Sequence, residues 1–445
     1  MLESALRPLG IHEEMFWRLD QAMPLNLTFS VKLKGDINEK LVRRGLDNVQ
    51  KRHPLLGVCI KTAKGVPYFV SSEQPIPLTV QLGDDDSVNT IIDHYTNDVI
   101  DTETGPLVRC SLVSFGNDTH VIMFGYHHAV TDGRSMVLVF RDFLEAMGQS
   151  ETDLNKIQPE TFSLPQAYEQ GLPRSTKGIL GYIKWNFVVF RLYWGILRSG
   201  LLLKFLPLQS AAPLEKRSMK TFHRLLNKEN SQRLMALCKA KGLSVHSTLH
   251  AAFALSAAEQ IGFKKAKPLF IGTIADVRAD LKPAPSATTG LFASAMGSSH
   301  SIKPGSDLWT LAKQLQSQLR KDKKLNISHV LTKYQFLPLT RLARFLKAST
   351  FLKVLNGFDS IQPKSIPLSN LGVLSILENF TGPFEVLEAK GSVAVSILGN
   401  ISGGAFTLND QIYTFVGACL PLVSEETAKS YHDRAIEIIE EAVQA

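Results

Sequence analysis

Cysteine is scarce in this chain. The four residues Cys59, Cys110, Cys238 and Cys419 lie far apart, sit mostly in apolar surroundings and form no CxxC pair. Such spacing excludes a disulfide scaffold or a cysteine-based zinc module and predicts buried thiols in a reducing compartment. Long hydrophobic runs are also missing: no uncharged apolar stretch reaches the roughly 18 residues needed to span a bilayer. The opening MLESALRPLGIHEEMFW has a glutamate at position 3 and lacks the charged-then-apolar profile of a secretion signal, so a cytoplasmic location is expected. There is no Walker loop, no GxGxxG and no GxSxG, which removes the usual signatures of nucleotide hydrolysis, dinucleotide redox chemistry and α/β-hydrolase catalysis. Collagen-like glycine and sustained heptads are absent as well.

What is present describes a globular protein. Of 445 residues 44% are hydrophobic and 20% charged, with 49 Lys+Arg against 41 Asp+Glu for a net charge of +8. A chain of this length allows two or three domains at about 150 residues each. The basic residues are mostly dispersed and no nucleic-acid motif accompanies them, so nucleic acid is not an expected partner.

The periodicities predict mixed α/β structure. Residues 26–33 alternate as a strand, and Ile37, Leu41, Leu46 and Val49 then follow at helical spacing. The runs at 107–115 and 119–126 form a hairpin across Gly116-Asn117-Asp118, and from Ser135 the apolar residues keep a helical face. Between about 150 and 217 prolines punctuate a segment with no acid from Gln170 to Leu214, which reads as a crossover. Beyond it come a short strand and two helices up to about residue 260, strand-like segments at 268–275, 288–296, 385–398 and 404–420, and a closing amphipathic helix. The expected division is an N-terminal lobe at 1–165, a crossover at 166–215 and a C-terminal lobe at 216–445.

The most informative residues are His127-His128-Ala129-Val130-Thr131-Asp132-Gly133, between a predicted strand and a predicted helix. Adjacent histidines at a strand end project to opposite sides, so one can face a cleft while the other supports the fold. An imidazole with an ordinary pKa of about 6.5 can take up and return a proton near neutrality. Asp132 can bond backbone amides or pair with an arginine, and Gly133 can supply a positive φ or an open approach for a ligand.

This heptapeptide has the form HHxxxDG, and with it the chain resembles the superfamily of CoA-dependent acyltransferases that includes nonribosomal-peptide condensation domains and chloramphenicol acetyltransferase. Within it the sequence looks most like stand-alone polyketide-associated acyltransferases of the phthiocerol dimycocerosyl transferase kind. The supporting text is LGIHEEMFW, LKGDINEKLVRRGLDNVQKRHPLL, GPLVR at 105–109, DVRADLKP at 276–283 and SNLG at 369–372. The resemblance implies two chloramphenicol-acetyltransferase-like lobes in a V around a central channel, with His128 as general base and His127, Asp132, Gly133 and Arg278 as structural residues of the active site. Arg278 is the expected partner of Asp132 across the lobes. Ser369 and Asn370 are candidates for the oxyanion or the channel lining, a turn closed by Gly372 being the equal alternative. The DFGWG text of the plant-type branch is absent.

The implied activity moves an acyl group, long-chain or polyketide, from CoA or an acyl carrier protein of a polyketide synthase to a lipophilic acceptor hydroxyl. Amide formation, or carrier docking without turnover, are the alternatives. No cofactor is expected, since a CoA or phosphopantetheine thioester is a substrate. Nor is a metal: His246 and His250 have i, i+4 spacing without the glutamate of HExxH, and Asp84-Asp85-Asp86 reads as a solvated turn. In segment 177–206, Lys177, Lys184, Arg191 and Arg198 recur every seven residues on an apolar, Trp-bearing helix. It reads as a crossover helix packed on the lobes with snorkelling cations, or as an interfacial helix giving peripheral membrane contact.

Overall fold

A computed structural model describes residues 5–149, 161–198, 212–285, 287–361, 366–394 and 400–444. The first half runs β1 (Ala5–Pro8), α1 (Ile11–Asp20), β2 (Asn26–Lys34), α2 (Glu39–Arg52), β3 (Val58–Ala63), β4 (Val66–Ser71), β5 (Leu78–Leu82), α3 (Asp85–Asn97), β6 (Val108–Gly116), β7 (Thr119–His127) and α4 (Gly133–Gly148). The second half contributes β8 (Ser218–Leu226), β9 (Lys267–Asp276), β10 (Ala293–Ile302), β11 (Ile366–Val373), β12 (Glu385–Val393), β13 (Ile401–Leu408) and β14 (Gln411–Leu420), with helices between them. The mixed α/β class expected from the periodicities is the class observed.

Two large sheets carry the fold. The first has the order β12-β2-β7-β6-β5 and the second β10-β9-β11-β13-β14-β8, while β1, β4 and β3 make a small third sheet. Against one face of the first sheet, Val42, Leu46 and Val49 of α2 meet Phe140, Phe143 and Leu144 of α4 in a fully buried core with Phe29 and Phe124. The second sheet buries the helices Val245–Gln260, Leu308–Lys324 and Glu425–Gln444. Alanine dominates the middle of these: Ala251, Ala252, Ala254, Ala257 and Ala258 let the Val245–Gln260 helix sit close to its neighbours.

Local chemistry explains the boundaries. Three hairpin turns place two residues at positive φ, Lys64 (50°) with Gly65 (78°), Asn117 (49°) with Asp118 (55°) and Asn409 (52°) with Asp410 (63°), as a two-residue turn between twisted strands requires. Asp84 is not merely a solvated turn residue. Its carboxylate caps α3 by accepting the Ser87 amide at 2.9 Å, with Asp85 and Asp86 in the first turn, where the helix dipole favours negative charge.

Three placements differ from the sequence reading. The strand expected at 288–296 begins at Ala293, because Thr289, Gly290 and Phe292 give main-chain groups to the first half of the chain. The segment expected as a strand of the second lobe at 385–398 is β12, and it pairs antiparallel with β2 from Glu385↔Lys34 to Val393↔Leu27. A strand of the 216–445 segment therefore completes the first sheet. Helices Leu308–Lys324, Ile327–Ala343 and Ala348–Ile361 have no counterpart in the sequence reading.

Candidate active site

His127 ends β7, and His128 opens a single 3₁₀ turn that leads to α4. The residues leading into β2 and β6, the two strands that flank β7, hold this corner, since the His128 amide donates to Leu25 O at 2.9 Å and the His127 amide to Leu107 O at 3.0 Å. The two imidazoles are committed differently. His127 is wholly buried. Its Nδ1 accepts the Ala129 amide at 3.0 Å, so the proton sits on Nε2, 3.4 Å from Asp20 Oδ2. His128 is bonded through Nδ1 to the carbonyl of Thr131 at 3.0 Å. A carbonyl can only accept, so Nδ1 carries the hydrogen and Nε2 keeps its lone pair.

Burial pushes the His128 pKa down to about 4, with the bonds to backbone and the charge of Asp132 acting in the opposite direction. The ring is therefore neutral at pH 7. Phe16 of α1 packs edge-on against it at a centroid distance of 4.5 Å, and His12 lies one turn earlier, 4.8 Å from Phe16. Burial and the neighbouring His128 hold His12 near 3.

Asp132 is the N-cap of α4 and the centre of a connection between the halves of the chain. Its Oδ1 accepts the Ser135 amide at 2.8 Å and Arg278 Nη2 at 3.0 Å, while Oδ2 accepts the Phe292 amide at 2.7 Å. The Ser135 hydroxyl donates to Gly290 O at 2.8 Å, and it receives Gly290 N at 3.0 Å and Arg278 Nη2 at 2.6 Å. Thr289 adds its hydroxyl to Val130 O at 3.0 Å and its amide to His53 Nδ1 at 3.2 Å. With Nδ1 accepting, His53 donates through Nε2 to Asp142 at 2.9 Å. The turn that follows His128 is thus fixed from the far side by residues 278–292.

Gly133 does not adopt a positive φ, and what approaches it is protein. A Cβ there would stand 2.5 Å from Leu371 Cδ2, so the missing side chain makes room for β11. The positive φ expected for Gly133 gives way to this close approach of two halves of the chain. The same contact brings the end of β11, with Ser369 and Asn370, over the N-terminus of α4. Asn370 Oδ1 accepts the Gly372 amide at 2.8 Å and Gly372 has φ 73°, so part of this text is a turn.

His246 and His250 are elsewhere, their rings 4.8 Å apart, lining a small cavity of about 20 Å³ with His300 and Asp322. Among the described residues no group of three or more His, Cys, Asp or Glu is arranged to hold a metal ion.

Several contributors escaped the sequence reading. His12, Phe16, Ser135, Thr289 and Phe292 lack a reactive pattern of their own. Only LGIHEEMFW, as a fragment of family text, pointed toward the first two. Glu169, half-buried near Glu13 and raised to about 7 by desolvation first and by that neighbour second, accepts the His12 amide at 2.7 Å. It supports α1 from the crossover.

A family model described as the condensation domain matches residues 18–326. Among curated proteins, the hybrid PKS-NRPS synthetase ucsA of Acremonium sp is 24% identical over 162 residues, covering 35% of this chain and 4% of that protein. The chain spans about 4% of the length of such relatives. Among solved structures, TRI3 trichothecene 15-O-acetyltransferase from Fusarium sporotrichioides superposes with a TM-score of 0.74 at 13% identity, covering 97% of this chain and 94% of the other. Polyketide synthase associated protein 5 from Mycobacterium tuberculosis superposes with a TM-score of 0.67 at 15% identity, covering 99% of each.

Proposed function

Because the chain belongs to the condensation-domain family, we propose that it is an acyltransferase in which His128 is the general base and a hydroxyl is the acceptor. One observation carries the reading. The Nδ1–H of His128 is tied to Thr131 O, and the ring is uncharged at neutral pH, so Nε2 is available as a proton acceptor.

In the proposed reaction Nε2 removes the acceptor O–H proton as the oxygen attacks the carbonyl carbon of an acyl thioester. The tetrahedral oxyanion collapses with cleavage of the C–S bond, and the imidazolium returns its proton to the departing thiolate. The products are an ester and a free thiol, and no acyl-enzyme forms. We assign Ser369 and Asn370 to the oxyanion or to the channel wall on the strength of the Leu371 contact with Gly133. Asp132 and Arg278 do not touch substrate in this scheme. They position the His128 turn, as His127 does from the other side.

The donor we propose is a thioester on CoA or on a carrier protein of a polyketide or peptide synthase, the setting of the synthetases this chain resembles. The acceptor is a lipophilic alcohol. TRI3, one of the superposed proteins above, is a 15-O-acetyltransferase by name, which supports a hydroxyl as the proposed acceptor.

The test is acceptor-dependent thiol release from short to long acyl-CoAs, and from the same acyl groups on pantetheine-loaded carrier protein, with long-chain alcohols and amines. Release with alcohols that collapses in His128→Ala is expected. Equal release by wild type and variant would remove His128 as the base, and turnover with amines alone would replace ester by amide formation.

A further inference from the structure

Outside the acyl-transfer site the least compensated surface is the helix Gly178–Arg198. Its inner face is attached to the helix Ile327–Ala343. Gly181 approaches Tyr334 so closely that a Cβ would stand 2.4 Å from the phenol oxygen, Trp185 lies 6.4 Å from the same ring, and Val188 is buried. The opposite face is bare among the described residues. Ile179 (74% exposed), Ile183 (59%), Phe187 (58%), Phe190 (64%) and Trp194 (53%) recur at intervals of three and four residues, which aligns them in one stripe. At 1.5 Å per residue the stripe is about 22 Å long. The packed crossover expected from the sequence holds only for the inner face.

Charge is distributed to match. At about 100° per residue, Lys177, Lys184, Arg191 and Arg198 form a line along one flank of that stripe. The side chains of Arg191 and Arg198, and all of residues 199–206, lie outside the described residues. From Gln170 to Leu214 the chain holds six cations (Arg174, Lys177, Lys184, Arg191, Arg198 and Lys204) and no acid. The whole chain carries +8, so these 45 residues supply +6 and the other 400 supply 8 − 6 = +2. No helix among the described residues is long and apolar enough to cross a membrane, which leaves lying on one.

We propose that the Gly178–Arg198 helix is a docking face for the surface of an anionic lipid bilayer. The aromatic and aliphatic stripe enters the boundary between headgroups and acyl chains, and the flanking cations meet the lipid phosphates. Complementarity of charge and the outward direction of the apolar stripe decide for lipid over a second copy of this chain, which would set like charge against the cations of this basic segment. The inference is independent of the chemistry assigned to His128.

The test is co-sedimentation of the full chain with phosphatidylcholine vesicles with and without phosphatidylglycerol, at low and high salt. Expected is binding to the anionic vesicles that weakens with salt, and a blue shift of tryptophan emission that is diminished in Trp194→Phe. Ile183→Glu with Phe187→Glu should lower partitioning by at least about tenfold, and Lys177→Glu with Lys184→Glu should also reduce it. Thermal unfolding of Ile183→Glu/Phe187→Glu should match wild type, because these two side chains face away from the fold. Three results would each overturn the proposal. One is absence of binding to either vesicle, another is undiminished binding by Ile183→Glu/Phe187→Glu, and the third is a wild-type dimer that the same variant converts to monomer.

Discussion

Replacing Asp132 tests how the halves of the chain hold the His128 turn. The carboxylate is 1% exposed and receives three hydrogen bonds, from Ser135 N, Phe292 N and Arg278 Nη2. Asp132→Ala strands two backbone amides and removes the α4 cap. It also withdraws one partner from a guanidinium that keeps Asp276 at 3.0 Å and the Ser135 hydroxyl at 2.6 Å. An unpaired buried amide costs about 1–3 kcal/mol and a buried ion pair broken on one side about 3–5, with overlap between them. A total loss of about 3–5 kcal/mol follows. Arg278→Ala leaves the carboxylate its two amide donors and should cost about 1–3 kcal/mol. Because both variants break one network, the double variant should be scarcely worse than Asp132→Ala, giving a coupling of about 1–3 kcal/mol. The assay is urea unfolding followed by tryptophan fluorescence for wild type, both singles and the double. Single effects that add to within about 0.5 kcal/mol would refute the shared network. Thiol release should fall in kcat in both singles under conditions where they remain folded.

Other outcomes follow from the same geometry. With His128 near 4, kcat/KM should stay level as pH falls through 6.5 and decline only toward about 4, where Nε2 becomes protonated; a midpoint near 6.5 would contradict its burial. His223, His246 and His300 are also held near 4 by burial, while the unfolded chain binds protons at these residues from about 6.5 downward. The urea midpoint should therefore fall between pH 6.5 and 4, and a flat profile over that range would refute neutral burial. Glu169 has the opposite sign. Its folded pKa of about 7 lies above that of the unfolded carboxyl, so its contribution is present below about 4.5 and lost as pH rises through 7. Glu169→Gln should thus stabilise the protein at pH 8 and lose that advantage at pH 4, as read by thermal unfolding at both values. Phe140, wholly buried and edge-on to Phe29 and Phe124, should cost about 3–5 kcal/mol when replaced by Ala. A loss below about 1 kcal/mol would mean that this core is not close-packed.

Much of this was legible in the sequence because the signals were local. Turn chemistry at Asn117-Asp118 and Asn409-Asp410 and the helical spacing after Ser135 are written in neighbouring residues. His128, Asp132 and Arg278 stood out because they matched a family pattern. Contacts between distant segments were not legible. Nothing in IHEEMF says that Phe16 meets His128, and a main-chain amide such as that of Phe292 has no side-chain signature. Gly133 was read by its own conformational freedom, whereas its role is set by Leu371, 238 residues away. The helices from Leu308 to Ile361 were not read from the sequence; in Ile327–Ala343, Pro338 is tolerated inside a helix that other elements hold in place.

The pairing of β12 with β2 also constrains how this chain can be made and cut. About 360 residues separate the two strands, so the first sheet stays open at one side until residues 385–393 have left the ribosome. Until then β2 presents unpaired main-chain groups beside Leu27, Phe29, Val31 and Leu33, a template for the strands of other chains. An isolated first half would keep that adhesive edge for its whole lifetime. Half-length fragments of this protein should accumulate as aggregates, while supply of the 385–393 segment in trans should return them to solution.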